Sequence, residues 1–116
     1  PYNGGTTTVE ALWQGVPGLT FNGDRWAART SRSVLVGARM ESWVEPDLAS
    51  YVARAIALAN DPETPSRLAT LRAGMRDWLR AAPICDTAGY CRSVEAVYRE
   101  AAARRETEER PASRPV

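Results

Sequence analysis

A chain of 116 residues with 44% apolar side chains has room for one modest hydrophobic core. Its 15 basic and 14 acidic residues leave a formal net charge of +1, so no strong field draws it toward nucleic acid or an anionic membrane. All the basic residues are arginines and histidine is absent, which removes the commonest general base and metal ligand, and no apolar run nears the roughly 20 residues that span a bilayer.

The first residues carry neither a basic n-region nor an apolar h-region, and a cytoplasmic location is expected. The sequence opens on Pro1, directly before a glycine-rich loop, which reads as the continuation of an upstream portion. Residues 8–13 predict a short helix with Val9, Ala11, Leu12 and Trp13, closed by Gly15 and Pro17. "GLTF" (18–21) predicts a short buried strand, ended by Asn22, Gly23 and Asp24. A second helix is expected from about Arg25 to Val36, with Trp26, Ala27, Thr30, Val34 and Leu35 inward and Gly37 as its stop. An extended piece follows at Trp43 and Val44. After Pro46, Asp47 is placed to cap a helix bearing Leu48, Tyr51, Val52, Ala55, Ile56 and Leu58. A turn over 60–66 starts another helix, whose Leu68, Leu71, Met75, Trp78 and Leu79 recur at steps of three and four until Pro83. A last helix over 90–105 sets Val94, Val97 and Tyr98 on one side, and 106–116 reads as a disordered tail.

Two short strands and five helices are too little sheet for a free-standing α/β domain. They suit the C-terminal half of a Rossmann-like one, so the expected fold class is an α/β fragment with few short parallel strands. Cys85 and Cys91 stand six apart with no histidine to complete a zinc set, so free thiols, buried or half-buried, are expected rather than a metal site.

The stretch "YNGGTTTVEALWQGVP" (2–17) holds the strongest chemical signal. A glycine-rich turn into a helix leaves the first N–H groups unpaired, and the helix dipole adds positive charge there, which together favour phosphate. Gly4 and Gly5 let the backbone approach a pyrophosphate, Thr6, Thr7 and Thr8 add hydroxyls, and Glu10, one turn beyond Thr6, is within reach of a ribose. Thr7-x-x-Glu10 equally fits a capping box in which both side chains serve only the helix end. Neither a Walker nor a Rossmann fingerprint is present, so spacing alone leaves both readings standing.

The residues also carry a resemblance. "NGGTTTVEALWQGVP", "GDRWAARTSRSVL", "APICD" and "VEAVYRE" resemble the C-terminal catalytic region of protein O-linked N-acetylglucosamine transferases and their SPINDLY-like relatives, glycosyltransferase family 41. The pattern G-x-T-T-x-x-[DE]-x-L-W-x-G-x-P is met by Gly4, Thr6, Thr7, Glu10, Leu12, Trp13, Gly15 and Pro17. The resemblance implies a GT-B glycosyltransferase whose C-terminal domain binds the donor, with Gly5, Thr6 and Thr7 at the diphosphate and Glu10 at the ribose. Where animal members carry histidine this chain has Gly5, as bacterial members with G-G-T-T-T do. The implied reaction moves N-acetylglucosamine from UDP-N-acetylglucosamine to serine or threonine of protein acceptors, with GDP-fucose as the other donor the family uses. It needs no cofactor and no metal. The implied partners are the nucleotide-sugar donor, the acceptor, and an upstream catalytic half with tetratricopeptide repeats on the same polypeptide, where the catalytic residues lie. Residues 1–105 are then the nucleotide-sugar-binding part, inactive alone.

A different reading makes the chain a small helical interaction module that binds no nucleotide. Among other candidates, Asp24 is expected to cap the following helix beside Arg25, and Arg29 to serve a structural ion pair or an anion. Trp13, Trp26, Trp43 and Trp78 are expected in the core. The alternating charges of "AAARRETEER" suit a solvated helix face.

Overall fold

The computed structural model describes residues 2–108, with side chains to 105, in two compact units, one ending at Cys85 and one beginning at Asp86. The first unit runs α1 (Thr6–Trp13), β1 (Thr20–Phe21), α2 (Thr30–Gly37), β2 (Val44–Glu45), α3 (Leu48–Asn60) and α4 (Thr64–Ala81). Short 3₁₀ turns lie at Trp26–Ala28, Glu41–Trp43 and Pro83–Cys85. The second unit is one helix, α5 (Thr87–Glu108). Among the described residues this matches the expected two strands and five helices.

β1 and β2 pair in parallel, Thr20 opposite Val44 and Phe21 opposite Glu45, and the Asn22 N–H extends the ladder to the Glu45 carbonyl at 2.8 Å. Parallel neighbours need a crossover, and α2 provides it. α3 packs on this pair through Tyr51, whose ring centroid lies 5.8 Å from that of Phe21, and through Arg54, 3.8 Å from the Glu45 carboxylate. Along another side of α3, Leu48, Val52 and Ile56 recur every fourth residue and stand exposed.

The core joins three helices. Leu12 of α1, Leu35 of α2, and Met75 and Leu79 of α4 meet with Ala38 and Met40, and Val34, Trp43, Val44, Leu71 and Ile84 pack around them. Leu35 is fully buried, at 0% exposure. Helix ends follow the local chemistry: Asp47 accepts the Ser50 N–H at 2.8 Å, a cap that holds its carboxyl below the usual range, and Pro65 sits in the first turn of α4 where its missing N–H is not needed.

α1 and α2 both close with a residue in the left-handed region. Gly15 (φ +78°) and Arg39 (φ +56°) occupy equivalent places, with Val16 N–H to Ala11 O and Met40 N–H to Leu35 O, each at 2.9 or 2.8 Å. In α2 the left-handed residue is Arg39 rather than the expected stop Gly37, which is the last residue of the helix and where a Cβ would meet Ile84 Cβ at an ordinary 3.4 Å. Gly74, inside α4, is the opposite case, with nothing within 4 Å of where its Cβ would be. Gly74→Ala is expected to stabilise the fold by about 0.5–1 kcal/mol, seen as a higher denaturant midpoint at unchanged slope.

α5 is capped by Asp86, whose carboxylate accepts the Gly89 N–H at 2.8 Å. Its surface carries the Glu95–Arg99 and Glu100–Arg104 pairs, each one turn apart. The helix runs three residues into the expected tail, and 109–116 lie outside the described residues.

Several expectations are corrected. The helix expected over 25–36 is broken at Arg29, where Asn3 takes the carbonyls of Ala27 and Ala28. Trp43 packs on the core, but Trp26 is 76% exposed and Trp78 is 53% exposed, its indole N–H donating to the Ala38 carbonyl at 2.7 Å. Cys85 and Cys91 are free, as expected, but both are exposed rather than buried.

Candidate functional site

The start of α1 is built from outside itself. Asn3 donates its backbone N–H to the Ala27 carbonyl (3.1 Å) and its side-chain Nδ2 to the Ala28 carbonyl (2.8 Å), while its Oδ1 accepts the Ser31 N–H (3.2 Å). Ser31, buried, donates its hydroxyl to the Gly4 carbonyl at 2.7 Å and so accepts from Thr8 Oγ1 at 3.1 Å. These bonds tie the Asn3–Gly4–Gly5 loop to the first residues of α2. They also explain the break before α2: the carbonyls of Ala27 and Ala28, which a continuous helix would give to the N–H groups of 31 and 32, are taken by Asn3.

Two helix starts are thus brought together, and the Thr30 methyl lies 3.4 Å from where a Cβ on Gly5 would be. The Thr30 hydroxyl is buried without a partner among the described residues, an unmet donor beside Gly5. A Cβ on Gly4 would sit 2.7 Å from Thr8 Oγ1, so only glycine leaves that hydroxyl its place against Ser31.

The capping box does not form. Gly5 is the N-cap, with no side-chain bond, which makes Thr7 the second helical residue and moves Glu10 into the second turn. The Thr8 and Val9 N–H groups turn back to the Gly5 carbonyl, at 3.0 and 3.2 Å, whereas those of Thr6 and Thr7 have no acceptor among the described residues. Thr6, Thr7 and Glu10 are exposed, and Thr6 and Glu10, four apart, share one face. Of the residues expected at the site, the structure therefore gathers Gly5, Thr6 and Thr7 at one helix end and sets Glu10 one turn along. Two adjoining positive helix ends and free amides form a surface suited to an anion.

The loop after β1 departs from expectation. Asp24 caps no helix; it holds Arg25 by two bonds, to Nε at 2.9 Å and Nη2 at 2.8 Å, both side chains being exposed. The hydrogen bond from Arg25 draws the Asp24 carboxyl down to about 2. Because that value is depressed, the pair's contribution is complete above the ordinary carboxylate range and fades as pH falls through about 2. An NMR titration of Asp24 is expected to give this midpoint, moving up toward the ordinary range in Arg25→Ala and in high salt. Arg29 serves structure, but not through the expected ion pair: it is exposed, and its Nε donates to the Gly23 carbonyl at 2.6 Å.

Sequence reasoning missed Asn3 and Ser31, which position everything above. The only signal for Asn3 is a polar residue with amide donor and acceptor just before two glycines, and Ser31 has none, since its partners lie 23 and 27 residues away. Among the described residues there is no cluster of His, Cys, Asp and Glu able to hold a metal, and no helix long and apolar enough to cross a membrane.

Comparison with known proteins places these residues among relatives. No protein-family profile matches the chain. It is 37% identical over 99 residues to a probable UDP-N-acetylglucosamine–peptide N-acetylglucosaminyltransferase SPINDLY of Solanum lycopersicum, and 35% identical over 99 residues to that of Petunia hybrida. Each match covers 85% of this chain and 10% of the relative, so the chain spans about a tenth of those proteins' length. A solved mutant O-GlcNAc transferase of Thermobaculum terrenum superposes with a TM-score of 0.71 at 36% identity, covering 86% of this chain and 19% of that one.

Proposed function

Because the chain belongs, over the stretch it spans, to the family of SPINDLY and O-GlcNAc transferases, we propose that the polypeptide carrying it transfers N-acetylglucosamine from UDP-N-acetylglucosamine to serine or threonine hydroxyls of protein acceptors. In this reading residues 1–105 are the nucleotide-sugar-binding C-terminal part of a GT-B enzyme. They work with an upstream catalytic half and tetratricopeptide repeats of the same polypeptide. The two-stranded parallel pair and the exposed Leu48, Val52 and Ile56 stripe support that partnership, since parallel sheets are normally larger and covered on both faces.

The observation that carries the reading is the start of α1, where the amides of Thr6 and Thr7 have no acceptor among the described residues and stand beside two exposed hydroxyls. The donor diphosphate lies over Gly5, Thr6 and Thr7, and the Glu10 carboxylate accepts from the ribose. As the acceptor oxygen bonds to the anomeric carbon, the bond to the diphosphate breaks and its electron pair leaves with UDP. The helix-end amides stabilise that departing charge. The hydroxyl proton goes to a base outside this chain. The reaction draws on no cofactor or metal beyond the donor.

The test is calorimetric titration of UDP and GDP into the full-length polypeptide, with a Thr6→Ala/Thr7→Ala variant alongside. Binding of UDP, weakened in the variant, is the expected result; preference for GDP would move the donor to GDP-fucose, and no binding by a folded sample would sink the reading. Glu10→Ala is expected to weaken nucleotide binding about tenfold, the loss of one charged hydrogen bond. Its melting temperature should not change, because Glu10 makes no side-chain bond among the described residues.

A further inference from the structure

Trp13, at the far end of α1, lies beneath two guanidiniums, Arg76 at 5.2 Å and Arg80 at 5.6 Å from its ring centroid. Arg76 is fixed further by hydrogen bonds to the Trp13 carbonyl, 3.3 Å from Nε and 3.2 Å from Nη2. One turn earlier on α4, Arg72 presses on Gly15: a Cβ there would lie 2.6 Å from Arg72 Cγ. The three arginines recur every fourth residue and so form a row spaced by about 6 Å. Of these three, only Arg80 has a carboxylate partner among the described residues, Asp77 at 3.2 Å. Arg72 and Arg76 line an open cleft of about 380 Å³ with Gln14, Trp13 and Asp77, whose carboxylate is held by Arg80 just outside the cleft.

This is positive charge held in place before a ligand arrives. Ordering a long side chain is a main cost of binding through arginine, and the contacts of Arg76 with Trp13 have already ordered it. The guanidinium fork takes carboxylates by paired parallel bonds. In an extended peptide, side chains at alternate positions point the same way and lie about 6.6–6.8 Å apart, close to the arginine spacing. A single small ion would use only part of such a row.

We propose that the cleft between the end of α1 and α4 docks an extended acidic segment of a partner protein, its alternate carboxylates meeting Arg72 and Arg76, with Arg80 at the end of the row. The cleft lies at the opposite end of α1 from Thr6 and Thr7, and the inference does not depend on what binds there.

Fluorescence anisotropy on the full-length polypeptide tests it, using a labelled peptide of alternating Glu and Ser and its Gln-for-Glu counterpart. The acidic peptide is expected to bind at least about tenfold more tightly than the neutral one. Arg72→Gln, which leaves the Arg76–Trp13 bonds intact, should weaken it several-fold, and Arg76→Lys should do so while keeping the charge. Arg99→Gln, on α5, should have no effect. Equal binding of the two peptides, binding of neither, or equal sensitivity to all three substitutions would overturn the proposal. So would displacement of the peptide by inorganic phosphate or an oligonucleotide in preference to the unlabelled peptide, which would assign the row to phosphate groups.

Discussion

A carboxylate at position 7 is expected to abolish donor binding while leaving α1 at least as stable as before. Thr7 is the second residue of α1, exposed, with an amide that has no acceptor among the described residues. An aspartate there meets the positive end of the helix and should add about 0.3–1 kcal/mol to its stability. The same carboxylate would face the donor diphosphate, and a like charge at such range costs several kcal/mol, so nucleotide affinity should fall by about 100-fold or more. Thr7→Asp therefore moves folding and binding in opposite directions, which a merely structural helix start would not do. Calorimetry with UDP and GDP reads the binding, and thermal melting reads the fold. A variant that melts normally yet keeps its nucleotide affinity would mean that the ligand sits elsewhere.

A large stability loss is expected at Gly15. Alanine there meets two penalties at once. The residue is held at φ +78°, where a side chain costs about 1–2 kcal/mol. Its Cβ would also stand 2.6 Å from Arg72 Cγ and 3.1 Å from the Arg72 carbonyl, so α1 must shift from α4 and loosen the contact of Leu12 with Met75 and Leu79. Gly15→Ala should cost about 3 kcal/mol in total, on the order of 10–20 °C in melting temperature for a unit of this size. Gly18→Ala is the control, with nothing within 4 Å and no left-handed backbone. A Gly15→Ala chain that melts with the Gly18→Ala control would show that the α1–α4 approach is looser than the structure has it.

How far the sequence speaks for the structure depends on how local the deciding contact is. α3 and α4 were legible because Asp47, Pro46 and Pro83 act within a turn of where they stand, and because apolar spacing reports burial for Met75 and Leu79, although α4 begins at Thr64, inside the turn expected over 60–66. The break between Trp26 and Thr30 was not legible, since nothing between 25 and 36 forbids a helix; Asn3 imposes it from more than twenty residues away. The site divides in the same way. Its glycines and threonines stand together in sequence, but whether Thr7 caps the helix or lies inside it turns on where Gly5 is held, and Ser31 decides that through Gly4. Trp13 and Trp78 misled because a large ring signals burial only if nothing else covers it. Arginine heads lie over Trp13, and Trp78 keeps its indole N–H on a backbone carbonyl at the surface.

The Asn3 clamp also sets an order of opening. It joins residues 28 apart by single bonds near the surface, whereas each helix is held by contacts a turn apart. The clamp rests on a few part-buried hydrogen bonds rather than on buried apolar contacts, so it is expected to open at lower cost than the core. Release of the start of α1 from α2 with the core intact is then the expected local opening, and faster hydrogen exchange at the Ser31 N–H than at the core amides is the result that would show it.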